Sequence, residues 1–124
     1  MSPQQTGLSQ ALGIRAIGSA DFDRRILEAG DALAVVFVWA SSCFNCGVAQ
    51  RELLAAADEV RALGLAWFEA GAHADPELAT RFVLHGTPSF FFLHRGFTLG
   101  RMTGWRGLDG LKIAVAAART KMGS

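Results

Sequence analysis

The chain has 124 residues, of which 51% are hydrophobic and 19% charged, enough for the core of one ordinary domain. Its 12 basic and 11 acidic residues give a formal net charge of +1, and the basic residues are scattered. This balance excludes the strong field typical of proteins that bind nucleic acid or an anionic membrane. We therefore expect neither of those partners, and we expect the arginines to be solvated surface charges. We also expect a monomer.

The first ten residues are polar, contain Pro3 and Gly7 and show no periodicity. They predict a flexible arm over residues 1–10, followed by a single domain over residues 11–124. No basic and apolar regions of a signal peptide are visible in them, and the longest apolar run, residues 33–40, is too short to cross a bilayer. We expect a cytoplasmic protein, or a periplasmic one if a leader precedes this sequence.

The hydrophobic pattern predicts strands that alternate with helices and end in a hairpin at Arg95 and Gly96. The strand over residues 33–40 carries no charge, which is typical of a strand covered on both faces. The predicted strands are 14–17, 33–40, 65–70, 89–94 and 97–103, and the predicted helices are 19–29, 43–62, 75–84 and 108–121. This order favours a three-layer α/β/α domain with a mixed sheet of about five strands and four helices.

The only two cysteines, Cys43 and Cys46, stand where the strand over residues 33–40 passes into a helical pattern. Positions i and i+3 lie on one helix face with Cβ atoms about 5–6 Å apart, so a disulfide can form there with little backbone movement. The free N–H groups at a helix start stabilise a thiolate, the reactive form of cysteine. The stretch is therefore a candidate redox site.

Several residues at characteristic intervals surround this pair. Phe22 lies in the first predicted helix, Trp39 and Ala40 precede the cysteines, and Pro88 follows a short helix. Two glycines come after the proline at spacings of eight residues: Gly96 and Gly104. With these features, residues 14–121 resemble the thioredoxin family, and the fold that the resemblance implies is the thioredoxin fold.

The resemblance implies thiol–disulfide exchange and a role in cell redox homeostasis. Cys43 would be the exposed nucleophile and Cys46 the buried resolving thiol. Pro88 would be cis and lie against the pair, Thr87 would offer its backbone to a substrate, and Gly104 would keep a neighbouring loop close. The expected partners are protein disulfides or dithiols together with a thiol reductant or oxidant. The redox centre is the disulfide itself, so no other cofactor and no metal are expected.

The chain departs from the family pattern around the cysteines. Thioredoxin has Trp-Cys-Gly-Pro-Cys-Lys, whereas this chain has Ser-Cys-Phe-Asn-Cys-Gly over residues 42–47. Phe44 is expected to be exposed beside the nucleophile, where it suits substrate contact. Trp105 could form the wall of an apolar groove with Phe44, or pack into the core. Trp39 is expected to support the site from the preceding strand.

A second departure concerns the buried acid of thioredoxins. By counting, its position is Phe37, and the position of its partner lysine is Glu69. We hypothesise that Glu69 acts as the proton shuttle from the adjacent strand, because burial against Phe37 and Trp39 would raise its pKa. The alternative is that Glu69 lies at the strand end and reaches water.

Two other functions remain open. A redox-inactive thioredoxin-fold module could bind a peptide or protein beside Pro88 and Trp105, since a fold does not determine a function. A metal site is less well supported, because two cysteines and one histidine do not complete a zinc shell, although two thiolates could bind copper(I). His73 is expected to be a surface-loop residue.

Overall fold

The computed structural model describes residues 3–123, with side chains described from residue 7 onward. This part of the chain contains six helices and five strands. The helices are α1 (Pro3–Leu12), α2 (Phe22–Leu27), α3 (Phe44–Ala55), α4 (Ala57–Arg61), α5 (Pro76–Arg81) and α6 (Gly107–Met122). The strands are β1 (Arg15–Ala16), β2 (Ala34–Trp39), β3 (Ala66–Gly71), β4 (Ser89–His94) and β5 (Phe97–Thr103).

The five strands form one mixed sheet in the order β1-β3-β2-β4-β5. Strands β1 and β2 pair parallel to β3, whereas β4 pairs antiparallel to both β2 and β5. The carboxyl ends of β2, β3 and β5 therefore share one edge of the sheet with the start of β4. We call it the cysteine edge, because the chain reaches Cys43 directly after β2.

Buried side chains cover both faces of the sheet, as the charge-free central strand predicted. One face packs against α1, α3, α4 and α6 through residues such as Leu8, Leu53 and Leu111. The other packs against α2 and α5 through residues such as Ile26 and Leu78. The predicted three-layer α/β/α architecture is thus confirmed, while the predicted number of four helices is wrong.

The prediction of a flexible arm over residues 1–10 is wrong from residue 3 onward, because helix α1 occupies Pro3–Leu12; residues 1 and 2 lie outside the described part. Leu8 is 1% exposed, and Leu12 packs against the same core. Residue 7 lies directly over α3, since a Cβ on Gly7 would be in ordinary contact, at 3.5 Å, with a methyl carbon of Leu54. Gly13, at φ +67°, ends the helix in the left-handed conformation that glycine adopts readily.

The helix predicted over residues 43–62 is interrupted. Ala56 leaves helical geometry at φ −111° and ψ 31°, which separates α3 from α4. Alanine is the strongest helix former, so the break does not follow from the helix propensity of this residue. Within residues 3–123, no helix is long and apolar enough to cross a membrane.

Candidate active site

The two cysteines form a disulfide across the first turn of α3, with Cα atoms 5.2 Å apart. Cys43 is the N-cap residue, and its Sγ accepts a hydrogen bond of 3.1 Å from the backbone N–H of Cys46. Cys43 is half-buried, whereas Cys46 is 3% exposed. A partner can therefore approach the first sulfur far more easily than the second, and the capping N–H can stabilise a thiolate at Cys43.

An open cleft of about 330 Å³ lies in front of Cys43. Its walls come from three loops of the cysteine edge and combine small, polar and aromatic side chains. They are formed by Ala40, Ser42, Cys43, Phe44, Asn45, His73 and Thr87. Phe44 is 80% exposed, so its predicted exposure is confirmed. The structure thus brings Cys43, Phe44 and Thr87 to one surface, together with His73, which the sequence did not single out.

The peptide bond between Thr87 and Pro88 is cis, as the resemblance implied. Pro88 is buried, and its carbonyl accepts a hydrogen bond of 2.7 Å from the N–H of Gly104. Gly104 has φ +85°, which a side chain would strain. This bond fixes the loop after β5 to the segment that carries Thr87, on one side of the cleft.

The two tryptophans predicted for the site lie outside the walls of this cleft. The indole of Trp39 packs against Gly71, where a Cβ would lie 3.6 Å from the ring, and borders a smaller cavity next to His73. The ring of Trp105 lies 5.7 Å from that of Phe90, centroid to centroid, which favours the packing alternative. Neither buried indole N–H has a hydrogen-bond partner in the described part of the chain.

Phe37 and Glu69 are paired in register on neighbouring strands, so both side chains project from the same face of the sheet. That face packs against α3, the helix that carries Cys46. Glu69 is 7% exposed, which favours the buried carboxyl over the alternative in which it reaches water. Phe37 stacks on Phe90 at 5.0 Å between ring centroids. An aromatic pair thus occupies the position where the family has its buried acid.

Asp75 fixes the loop that carries His73. Its carboxylate accepts hydrogen bonds from the backbone N–H of Ser19 at 2.6 Å and of Leu78 at 3.1 Å, and the second bond caps α5. These bonds, that of Ser19 foremost, hold the pKa of Asp75 below its ordinary value of 3.8. The cleft wall formed by His73 is therefore attached to two neighbouring segments.

Solved structures share this architecture. Thioredoxin f from spinach chloroplast superimposes in its short form with a TM-score of 0.74 at 22% identity, over 86% of this chain and 93% of that chain. Its long form gives 0.74 and 22% over 92% and 93%. The chain has the thioredoxin fold. A thioredoxin from Malassezia sympodialis gives a TM-score of 0.69 at 18% identity, over 83% of this chain and 88% of that chain.

Comparisons at the level of sequence add nothing to this result. No protein-family model matches the chain, and no curated protein matches it. The identities of 18–22% to solved thioredoxins support the fold alone. The features that bear on function are therefore the residues that the fold brings together at the cysteine edge.

Three residues of the cysteine edge were not singled out from the sequence: His73, which lines the cleft, Arg51, which folds over the first turn of α3, and Arg106, which is the N-cap residue of α6. A histidine in a loop after a strand that ends at the cysteine edge could have been noticed, because such loops meet at one edge. No local pattern marks the arginines. Within the described residues, no cluster of three or more His, Cys, Asp or Glu side chains is placed to hold a metal ion.

Proposed function

We propose that the protein is a thiol–disulfide oxidoreductase in which Cys43 exchanges with protein disulfides. The observation that carries the proposal is the asymmetry of the disulfide. Cys43 faces an open cleft and caps a helix with its sulfur, while Cys46 is 3% exposed. A purely structural disulfide has no need of one accessible and one buried sulfur, whereas an exchange reaction requires both.

The proposed cycle starts from the reduced pair. The Cys43 thiolate attacks one sulfur of a substrate disulfide, which forms a mixed disulfide and releases the other substrate sulfur as a thiolate. Cys46 then loses its proton and attacks the Sγ of Cys43. This step forms the Cys43–Cys46 disulfide and releases the reduced substrate. Two electrons have passed to the substrate, and a dithiol reductant regenerates the pair; with an oxidising partner the same steps run in reverse.

Trapping with single-cysteine variants tests this proposal. The pre-reduced Cys46→Ser variant is expected to accumulate a mixed disulfide with an oxidised peptide, seen as an added mass that dithiothreitol removes. The Cys43→Ser variant is the matched control and is expected to trap little, because its remaining thiol is buried. Trapping by Cys43→Ser alone would contradict the assignment of the nucleophile. Peptide binding without any mixed disulfide would favour a redox-inactive binding module.

Glu69 is our candidate to accept the proton of Cys46 during resolution. The carboxylate is buried on the sheet face that packs against α3, in register with Phe37, and a positioned carboxylate can act as a general base. Phe37 itself has no group that could accept a proton. The acid of the family would thus be replaced by one from the adjacent strand.

The test of this role is the pH profile of mixed-disulfide resolution in the Glu69→Gln variant. Loss of a protonation step from the profile, with wild-type rates for the first attack, is expected. Glu52→Gln is a control, since Glu52 is an exposed acid of α3. A profile identical to that of the wild type rejects the shuttle. A single cysteine pair suits a reducing compartment, and we place the activity in the cytoplasm as part of this proposal.

A further inference from the structure

The basic side chains of the protein are nearly all paired. All but two of its 12 lysine and arginine side chains bind a carboxylate or a backbone carbonyl. The exceptions within the described part of the chain are Arg51 and Arg106. Exposed ion pairs are individually weak, so the informative feature is where the two exceptions lie.

Arg51 lies over the first turn of α3. Its guanidinium folds back toward the helix start, where a Cβ on Gly47 would approach one of its Nη atoms to 3.3 Å. Phe44, Gly47 and Arg51 follow a spacing of three and four residues and so share one helix face. The absence of a side chain at Gly47 makes room for a positive charge over the first turn of α3, on the helix face that also carries Phe44.

Arg106 lies on the loop that is hydrogen-bonded to Pro88. It is the exposed N-cap residue of α6 and follows Gly104 by two residues, while Gly104 donates its N–H to Pro88. Its Cβ packs against the backbone of Gly110, where an added Cβ would lie only 2.6 Å away. Helices α3 and α6 begin at the same edge of the sheet and pack on the same face. The two unpaired guanidinium groups therefore belong to the same end of the molecule.

Carboxylates that could neutralise this pair are few. No acidic residue lines the cleft in front of Cys43. Glu52 follows Arg51 on α3, but adjacent helical residues project about 100° apart. Asp109 follows Arg106 by three residues, and the two form no ion pair. The positive charge at the cysteine edge is thus left available to a partner.

We propose that Arg51 and Arg106 form a docking pair for anionic side chains, so that the substrate disulfides of this protein belong to segments with carboxylates close to the cystine. The inference rests on the proposed exchange at Cys43. A substrate held at the cleft would place its acidic side chains against the two guanidinium groups and its apolar side chains against Phe44. Rim charges of this kind mainly raise the association rate and make it sensitive to salt.

The test uses three cyclic peptides that differ only at the residues flanking their disulfide, which are glutamate, glutamine or lysine. Pre-reduced protein is mixed with each peptide, and the second-order rate constant of a single turnover is measured. The glutamate peptide is expected to react about three- to thirtyfold faster than the lysine peptide at low salt, with the glutamine peptide between them. The ratio should approach one in 1 M NaCl, where the screening length is about 3 Å.

The double variant Arg51→Gln/Arg106→Gln is expected to lose most of this preference and to keep the wild-type rate with the glutamine peptide. The matched control is Arg95→Gln/Lys121→Gln, which removes the same net charge from the far end of the sheet and should keep the preference. Equal rates with all three peptides, or a preference that the Arg51/Arg106 variant retains, would overturn the docking pair alone. Failure to reduce even the glutamine peptide would overturn the proposed function and the docking pair with it.

Discussion

The basic side chains at the two ends of the sheet differ in whether they have partners. At the end away from the cysteines, Arg95 pairs with Asp31, and Arg119 and Lys121 donate to backbone carbonyls of neighbouring segments. At the cysteine edge, Arg51 and Arg106 have no partner in the described chain, and Phe44 is 80% exposed. Apolar side chains are exposed at both ends, with Phe97 75% exposed at the far one, so the contrast lies in the basic side chains. The far end pairs them internally, whereas the cysteine edge leaves two of them available to a partner.

The largest effect expected from this comparison separates an interior phenylalanine from one at the edge. Phe37→Ala should lower the free energy of unfolding by about 3–5 kcal/mol, because the ring is 1% exposed and stacks on Phe90. Phe44→Ala should change it by less than about 0.5 kcal/mol. Urea unfolding of both variants checks this contrast. Similar losses in the two would mean that Phe44 is part of the folded core and not of a docking surface.

The second-largest expected effect is a difference in alkylation rate between the two sulfurs. In the reduced protein at pH 7, we expect iodoacetamide to modify Cys43 roughly ten- to a hundredfold faster than Cys46, because a thiolate at a helix N-terminus is stabilised and a buried thiol is not. Peptide mapping after timed quenching measures both rates. The Cys43→Ser and Cys46→Ser variants provide each rate in isolation. Equal rates would remove the asymmetry on which the proposed function depends.

The smallest expected effect concerns Asp75. This residue sharpens the comparison, because it lies at the cysteine edge but its carboxylate accepts hydrogen bonds from the protein's own backbone. Asp75→Ala should cost about 0.5–2 kcal/mol of stability near neutral pH, as is typical of a lost N-cap. The folded-state pKa of Asp75 is lowered from 3.8, so its stabilisation is fully present above the unfolded value and is lost as the pH falls through the folded one.

The measurement for Asp75 is urea unfolding across this pH range. The difference between wild type and Asp75→Ala should shrink as the pH falls below 3.8. Asp75→Asn is the matched control, since asparagine also caps helices but does not titrate, and it should keep most of the stability at neutral pH. A difference between wild type and Asp75→Ala that is independent of pH would contradict the role assigned to the carboxylate.

Much of this fold could be predicted because its cues are local. Strands β4 and β5 agree with the predicted ranges. An apolar run, a turn at Arg95 and Gly96 and a second strand-length segment together specify a hairpin. Helix α1 was missed because Leu8 and Leu12 supply almost all of its apolar surface, and their burial depends on α3. A pattern so sparse cannot indicate a helix until its packing partner is known.

The site likewise contains residues that the sequence reveals and residues that it does not. The residue types and spacing of Cys43, Cys46 and Pro88 are visible in the sequence. That Arg51 and Arg106 lack ion-pair partners is visible only in the folded structure. Whether an arginine is paired depends on residues far along the chain, as with Arg95 and Asp31, which are 64 positions apart. The role of His73 as a wall of the cleft likewise requires the loops after β2 and β3 to meet.

The most direct test of the central claim is the redox equilibrium of the Cys43–Cys46 pair in glutathione buffers of graded composition, followed by alkylation and mass analysis. An exchange catalyst should show one two-electron transition with a potential between about −270 and −120 mV, the range spanned by known proteins that exchange disulfides in this manner. A pair that stays fully oxidised in every buffer, with a potential below about −300 mV, would be a structural disulfide. That result would contradict the account.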